Sequence, residues 1–285
     1  MQLFFTKRCW LKQLLFFVII VVFISSTKAQ INVLWEARYT SAGQNADSGK
    51  ELALDNNGNV YVTGTSYTNV GNGYDIVTIK YDALGNQLWS AIFNGSGSDI
   101  DEARDIAVDQ NGFVYVTGYT TSTSSNYNYI TIKYNAVGTQ QWATTYNGTG
   151  NAFDEAYAIV IDTLGNSYVT GSSDAGAQGS NFVTVKYNSA GTQQWATPYN
   201  GPGNSIDAAT QIKLDAQFNV YVSGHSTGSG TNLDIATIKY NNSGAQQWVS
   251  RFNGTLNFFD VPEALFIYNL NNFYVAGATY GGLAT

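Results

Sequence analysis

Five tryptophans, Trp35, Trp89, Trp142, Trp195 and Trp248, stand 54, 53, 53 and 53 residues apart. This fixed step constrains the fold more than any other feature of the chain. The tyrosines of the Tyr-Val pairs, Tyr61, Tyr115, Tyr168, Tyr221 and Tyr274, keep the same step, as do Lys80, Lys133, Lys186 and Lys239. Self-similarity at a period of roughly 20–50 residues marks units that cannot bury their apolar surface alone and must stack on one another. The chain is therefore expected to be one array rather than several unrelated domains.

Within a unit, four short runs rich in Val, Ile, Thr, Tyr and Trp are separated by Gly and Asn clusters, which is strand and turn chemistry. In the second unit they fall near residues 106–108, 114–117, 130–134 and 141–146. An Asp or Asn followed three residues later by Gly recurs at Asp55, Asp109, Asp162, Asp82, Asn135 and Asn188. In such turns the Asx side chain accepts from the local backbone and Gly takes a positive φ. They lack the alternating ligands and terminal Glu of a calcium loop. Four antiparallel strands per unit with no helical period predict an all-β, β-propeller-like array of about five blades, because radial stacking buries both faces of each sheet. The units run approximately over 47–95, 101–148, 154–201, 207–254 and a partial 260–285, with an extra fourth strand expected at 33–39. Five first, second and fourth strands but four third strands leave the last blade incomplete. The array is then a fragment of a longer one, ends open, or finds a partner.

The first 29 residues do not belong to the repeat. Lys7, Arg8 and Lys12 precede an apolar run from Leu14 to Ile24, and small residues lead to Ala29. This succession predicts a cleaved signal peptide with Gln30 as the new N-terminus; the run is well short of the ~20 residues of a membrane span. Four of the 13 basic residues and none of the 20 acidic ones lie in this segment, so the remainder has nine basic against 20 acidic residues, net −11. That acidity argues against nucleic acid as a partner. The one cysteine, Cys9, lies in the same segment, so burial and ladder hydrogen bonds must hold the fold. No membrane anchor is expected after cleavage, and the product is a monomer or part of a longer array.

The run Gly58-Asn-Val-Tyr-Val-Thr-Gly64, then Asp75-Ile-Val-Thr-Ile-Lys-Tyr81, Gly85-Asn-Gln-Leu-Trp89 and Phe93-Asn-Gly95 resembles the SBBP β-propeller repeat. The resemblance covers nearly the whole of the chain after the leader. It implies an exported bacterial propeller at the cell surface or outside the cell, and it carries no catalytic residues to transfer.

Chemistry is sought where the blade does not explain the residue. Asp47, Asp101, Asp154, Asp207 and Asp260 each precede a first strand. Either they ring one mouth as a cation site, calcium being favoured by an all-oxygen ligand set, or each caps its own backbone turn. No other cofactor is expected. Variable loops at 65–74, 119–128, 172–180 and 225–233 carry Tyr67, Tyr74, Tyr119, Tyr127 and His225, a surface suited to protein or glycan. These features point to a non-enzymatic binding or scaffold module. The alternatives are a glycan-active propeller enzyme, for which the unrepeated polar residues Glu102, Arg104, Glu155 and His225 are the candidates, and a structural spacer of a larger surface protein.

Overall fold

The structure, a computed structural model, describes residues 33–41, 46–68, 73–97, 99–122, 126–269 and 272–280. The expected signal peptide and its cleavage before Gln30 lie outside these residues. Residues 1–34 and Trp35–Thr285 form separate units, and the repeats belong to the second.

The chain is all-β and propeller-like. Four antiparallel sheets of four strands follow in order: β1–β4 (Ser48–Leu54, Val60–Ser66, Asp75–Tyr81, Gln87–Phe93), β5–β8 (Asp101–Val108, Val114–Thr121, Tyr127–Tyr134, Gln140–Tyr146), β9–β12 (Asp154–Ile161, Ser167–Asp174, Ser180–Tyr187, Gln193–Tyr199) and β13–β16 (Asp207–Leu214, Val220–Thr227, Leu233–Tyr240, Gln246–Phe252). A two-stranded sheet, β17 (Asp260–Asn269) and β18 (Asn272–Thr279), completes the described array. The strands reach further toward one rim than the sequence suggests. Thr120, Thr121, Tyr127 and Asn128 pair across β6 and β7, so half of the expected 119–128 loop is ladder. Thr, Tyr and Asn suit an extended strand end as well as they suit a loop.

The first strands line up side by side: β1 packs on β5, β5 on β9, β9 on β13 and β13 on β17. No comparable packing returns from β17 to β1 among the described residues. The faces show it. Ala103, Ile106, Ala156 and Ile159 on β5 and β9 are buried, while Leu52 and Leu54 on β1 are 54% and 63% exposed.

Between blades the tryptophans act as the sequence suggests. Trp142 sits against Tyr115 of its own blade and Tyr187 of the next, with ring centroids 6.1 and 6.3 Å away. Its indole N–H donates to the Ser189 carbonyl at 3.1 Å. Trp89 and Trp195 repeat the arrangement with Ala136 and Asn242 as acceptors. The turn beneath each indole must be glycine for two reasons. Gly138 and Gly191 have φ of +83° and +82°, and a Cβ there would lie 2.7 Å from the ring of Trp89 or Trp142.

Residues 33–41 form no strand, against the fourth strand expected there. Trp35 nevertheless stands over Gly85 and 5.8 Å from the Tyr81 ring, as Trp89 stands over Gly138 and Tyr134. The side chain keeps the repeat's packing position although no neighbouring third strand supplies a ladder. In the fourth unit Phe218 replaces the turn glycine and holds φ +59°, a conformation that costs an L-residue about 1–2 kcal/mol.

Candidate functional site

All five first strands share a feature that the alternation of their sequences conceals. Pairing skips one residue in each: Lys50 in β1, Arg104 in β5, Tyr157 in β9, Thr210 in β13 and Glu263 in β17. Each is a β-bulge three residues after the repeated Asp. A bulge leaves its residue outside the ladder and re-aims the side chain. The backbone of this position is constant, while the residue differs in every unit.

In the first three blades these side chains meet. Arg104 lies between two carboxylates, 3.1 Å from Glu102 and 3.5 Å from Glu155. Lys50 reaches Glu102 from β1 at 2.9 Å. The Tyr119 hydroxyl donates to Glu102 at 2.8 Å and the Tyr157 hydroxyl to Glu155 at 3.0 Å. The guanidinium also lies over both rings, 5.4 Å from the Tyr119 centroid and 5.7 Å from that of Tyr157. The side chains of Glu102 and Glu155 retain 18% and 25% exposure, so solvent reaches both. Burial pushes the Glu102 carboxyl up, but hydrogen bonds from Lys50 and Tyr119 and the positive charges of Arg104 and Lys50 outweigh it. Its pKa therefore falls on the low side of the usual carboxylate range, and it is ionised at neutral pH. Burial, together with the bond to Glu102, raises the Tyr119 hydroxyl and keeps it a donor.

Of the residues singled out in the sequence, Glu102, Arg104, Glu155 and Tyr119 come together, and Tyr127 stacks behind Tyr119 at 4.6 Å with Phe153 beyond it at 5.2 Å. Tyr67 and Tyr74 pair edge to face in the first blade. His225 is a strand residue of β14, not a loop residue, and sits opposite Ala208. Burial lowers its pKa against the opposing charge of Asp207, and it lies apart from the carboxylate pair. Lys50 and Tyr157 were missed. The signal that finds them is divergence at the third position after the repeated Asp, where Lys, Arg, Tyr, Thr and Glu follow one another.

Of the two readings of the five aspartates, the hydrogen bonds support separate caps. Asp154 accepts from the Gly148 N–H at 2.7 Å, the Ser173 hydroxyl at 2.6 Å and the Asp174 N–H at 3.2 Å. Asp101 and Asp207 accept from Gly95 and Gly201, and Asp47 from Ser41 and Ser66; Asp260 accepts from Gly254. Each carboxylate is thus occupied by its own neighbourhood. Among the described residues no three His, Cys, Asp or Glu side chains group as metal ligands.

These caps carry a pH signature. Burial raises the Asp101, Asp154 and Asp207 carboxyls despite their donors. A carboxyl with a folded pKa above its unfolded value binds protons more tightly when folded. Its contribution is complete below the unfolded value of about 3.8 and is lost as pH rises through the folded one. These three caps contribute a loss of stability as pH rises from about 4, so urea unfolding of Asp154→Asn should show less of that loss than the parent. An identical pH profile in parent and variant would remove Asp154 as its source.

The SBBP family, described as a beta-propeller repeat, matches the chain three times, at residues 37–72, 88–124 and 141–176. The chain thus carries SBBP-type propeller repeats over these residues. A WD repeat-containing protein of Acanthamoeba polyphaga mimivirus is 23% identical over 90% of the chain, which spans about a fifth (20%) of that relative's length. Similar solved structures include an alpha-L-arabinofuranosidase from Clostridium thermocellum, 18% identical with a TM-score of 0.41 and 72% of each chain covered. A glycosyl hydrolase from Bacteroides ovatus is 11% identical with a TM-score of 0.40, covering 81% of each chain. Glycoside hydrolases recur among these neighbours. The expectation of a non-enzymatic binding or scaffold module, and that the chain is not an enzyme, runs against these neighbours, whose likeness to the chain is one of fold.

Proposed function

We propose that the chain is an enzyme that acts on glycans at the carboxylate pair of its first three blades. The observation that carries this reading is the pair itself: Glu102 and Glu155, from adjacent first strands, face one guanidinium and stay open to solvent. Two carboxyl groups flanking one bond are the minimal equipment for hydrolysing a glycosidic linkage. Glu102, held ionised, is assigned as the base that takes a proton from the attacking water. Glu155, the second carboxyl of the pair, is assigned to give a proton to the departing sugar oxygen. Water adds across the bond, its hydroxyl going to the anomeric carbon and its proton replacing the sugar on the leaving oxygen. Tyr119 and Tyr157 hold the two carboxylates in place through their hydroxyls.

The test is incubation of the purified chain with a panel of α- and β-linked oligosaccharides, reading reducing ends released. Release by the parent, and its loss in both Glu102→Gln and Glu155→Gln, is expected. No release from any member of the panel, or equal release by parent and both variants, would overturn the reading.

The basic, apolar and small-residue succession before Gln30 supports export with removal of residues 1–29, which would place this activity outside the cytoplasm. N-terminal mass analysis of the protein from its native host should find Gln30 first; retention of Met1 there would exclude cleavage.

A further inference from the structure

Where the turns of the second and third blades meet lies a cavity of about 330 Å³, lined among others by Val108, Asp109, Phe113, Lys133, Ile161 and Ser189. That is the lower end of the ~300–1,000 Å³ range of small-molecule sites. Both blades around it are complete, and a further sheet packs on either side. Val108 and Ile161 end β5 and β9, whose second residues are Glu102 and Glu155, so the cavity lies apart from the carboxylate pair. Two side chains that the repeat supplies elsewhere are missing here. In the first, third and fourth blades the turn Asp accepts from an Asn four residues on: Asn59 to Asp55 at 2.6 Å, Asn166 to Asp162 at 2.7 Å and Asn219 to Asp215 at 2.8 Å. In the second blade that residue is Phe113. The nearby tyrosine turns away as well. Tyr61, Tyr168 and Tyr221 donate to their own turn Asp, whereas Tyr115 donates to the Gly165 carbonyl at 3.1 Å. One Asp109 oxygen accepts from the Asn111 and Phe113 N–H groups, and the other accepts no bond among the described residues. The second absence lies across the interface. Between the third and fourth blades the Asn242 side-chain oxygen accepts from Lys186, and from Tyr168 at 3.0 Å. Ser189 stands at the equivalent place, and Lys133 reaches only its carbonyl, at 3.1 Å.

We propose that this cavity binds a free α-amino acid with an apolar side chain, its ammonium group on Asp109 and its carboxylate on Lys133. The chain itself defines the ligand. Both missing groups are carboxamides, one giving an N–H to the aspartate and the other an oxygen to the lysine. A ligand that replaces them presents a donor at one end and an acceptor at the other. The groups left behind are a carboxylate and an ammonium. Opposite charges on the ligand serve them better than hydroxyls, because charge-assisted hydrogen bonds are about twice as strong as neutral ones. In the fourth blade Lys239 reaches Asp215 at 3.7 Å; no such ion pair joins Lys133 to Asp109 among the described residues, so neither charge neutralises the other by contact. Burial pulls the Lys133 ammonium down while the charge of Asp109 holds it up, and a ligand carboxylate adds to that support. The ammonium is steadied 4.5 Å from the centroid of the Phe113 ring. Val108, Ile161 and Phe113 give the cavity an apolar wall for the side chain.

The experiment is calorimetry on the full chain with L-valine, L-leucine and L-phenylalanine, titrated one at a time. Saturable one-to-one binding of at least one of them is expected. The methyl ester and the N-acetyl derivative of that amino acid each lack one charge, and should bind at least about tenfold more weakly. Asp109→Asn should weaken the parent amino acid to a similar degree. Phe113→Asn combined with Ser189→Asn restores the residues that the repeat uses elsewhere, which fills the cavity with its own carboxamides. This double variant should lose binding without a fall in its urea midpoint. Absence of saturable binding by all three amino acids, equal binding by the two derivatives, or binding that survives in both Asp109→Asn and the double variant would overturn the proposal. So would saturable binding of glucose in place of the amino acids, because it would assign the cavity to a neutral polyol.

Discussion

Trp142→Ala is expected to destabilise the protein by about 3 kcal/mol, the lower end of the range for removing a large packed aromatic. Its indole joins two blades at once, through Tyr115 on one side and Tyr187 on the other, and through the N–H bond to Ser189. Truncation opens a cavity over Gly191 that glycine cannot fill, and leaves the Ser189 carbonyl with Lys133 as its donor. Trp248→Ala should cost markedly less, because its ring stacks on Phe273 beside an open groove rather than between two complete sheets. Equilibrium urea unfolding measures both. A Trp142→Ala midpoint that leaves stability within about 0.5 kcal/mol of the parent, the usual range of a surface substitution, would show that the indole is not an anchor between blades.

Glu102→Gln is expected to reduce glycan turnover by about 10²–10⁴-fold, the usual contribution of a positioned acid or base. Glutamine matches the shape of glutamate and can still accept from Tyr119, so the fold is retained. It cannot take a proton at neutral pH. The accompanying loss of stability should stay within about 1 kcal/mol, because the ion pairs with Lys50 and Arg104 are partly solvated. Steady-state kinetics with circular dichroism on the same sample separate the two effects. A fall in turnover matched by a loss of folded protein would point to structure, and unchanged turnover would remove Glu102 from the chemistry.

Much of the fold was legible because the repeat made the sequence its own comparison. The 53-residue step located the tryptophan anchors and the Asx–Gly turns, and in the last unit, where no third strand was read, β18 pairs with β17 alone among the described residues. Strand lengths were harder to read. Tyr119 and Tyr127 look like loop residues among Ser, Thr and Asn, yet they extend the β6–β7 ladder. His225 follows a glycine and suggested a loop start, but that glycine, Gly224, lies inside β14 close against the backbone of Ala208 and Ala209. The candidate site was half visible. Glu102, Arg104 and Glu155 stood out because the repeat does not require them. Their meeting depends on the bulge, which simple alternation passes over, and so Lys50 and Tyr157 went unnoticed. For the aspartates the regular spacing left two readings open, and their hydrogen bonds are those of local caps. What recurs is a local need: closing the link between one blade and the next.

The bulge in each first strand separates two demands that proteins usually have to reconcile at one position. A residue outside the ladder has no cross-strand neighbour to satisfy, so exchanging it leaves pairing and register as they were. Lys50, Arg104, Tyr157, Thr210 and Glu263 already hold five different chemistries on one backbone shape. The array therefore works as a socket with interchangeable inserts. Reordering or replacing those five residues would change the chemistry that the row of first strands presents while the same scaffold carries each version.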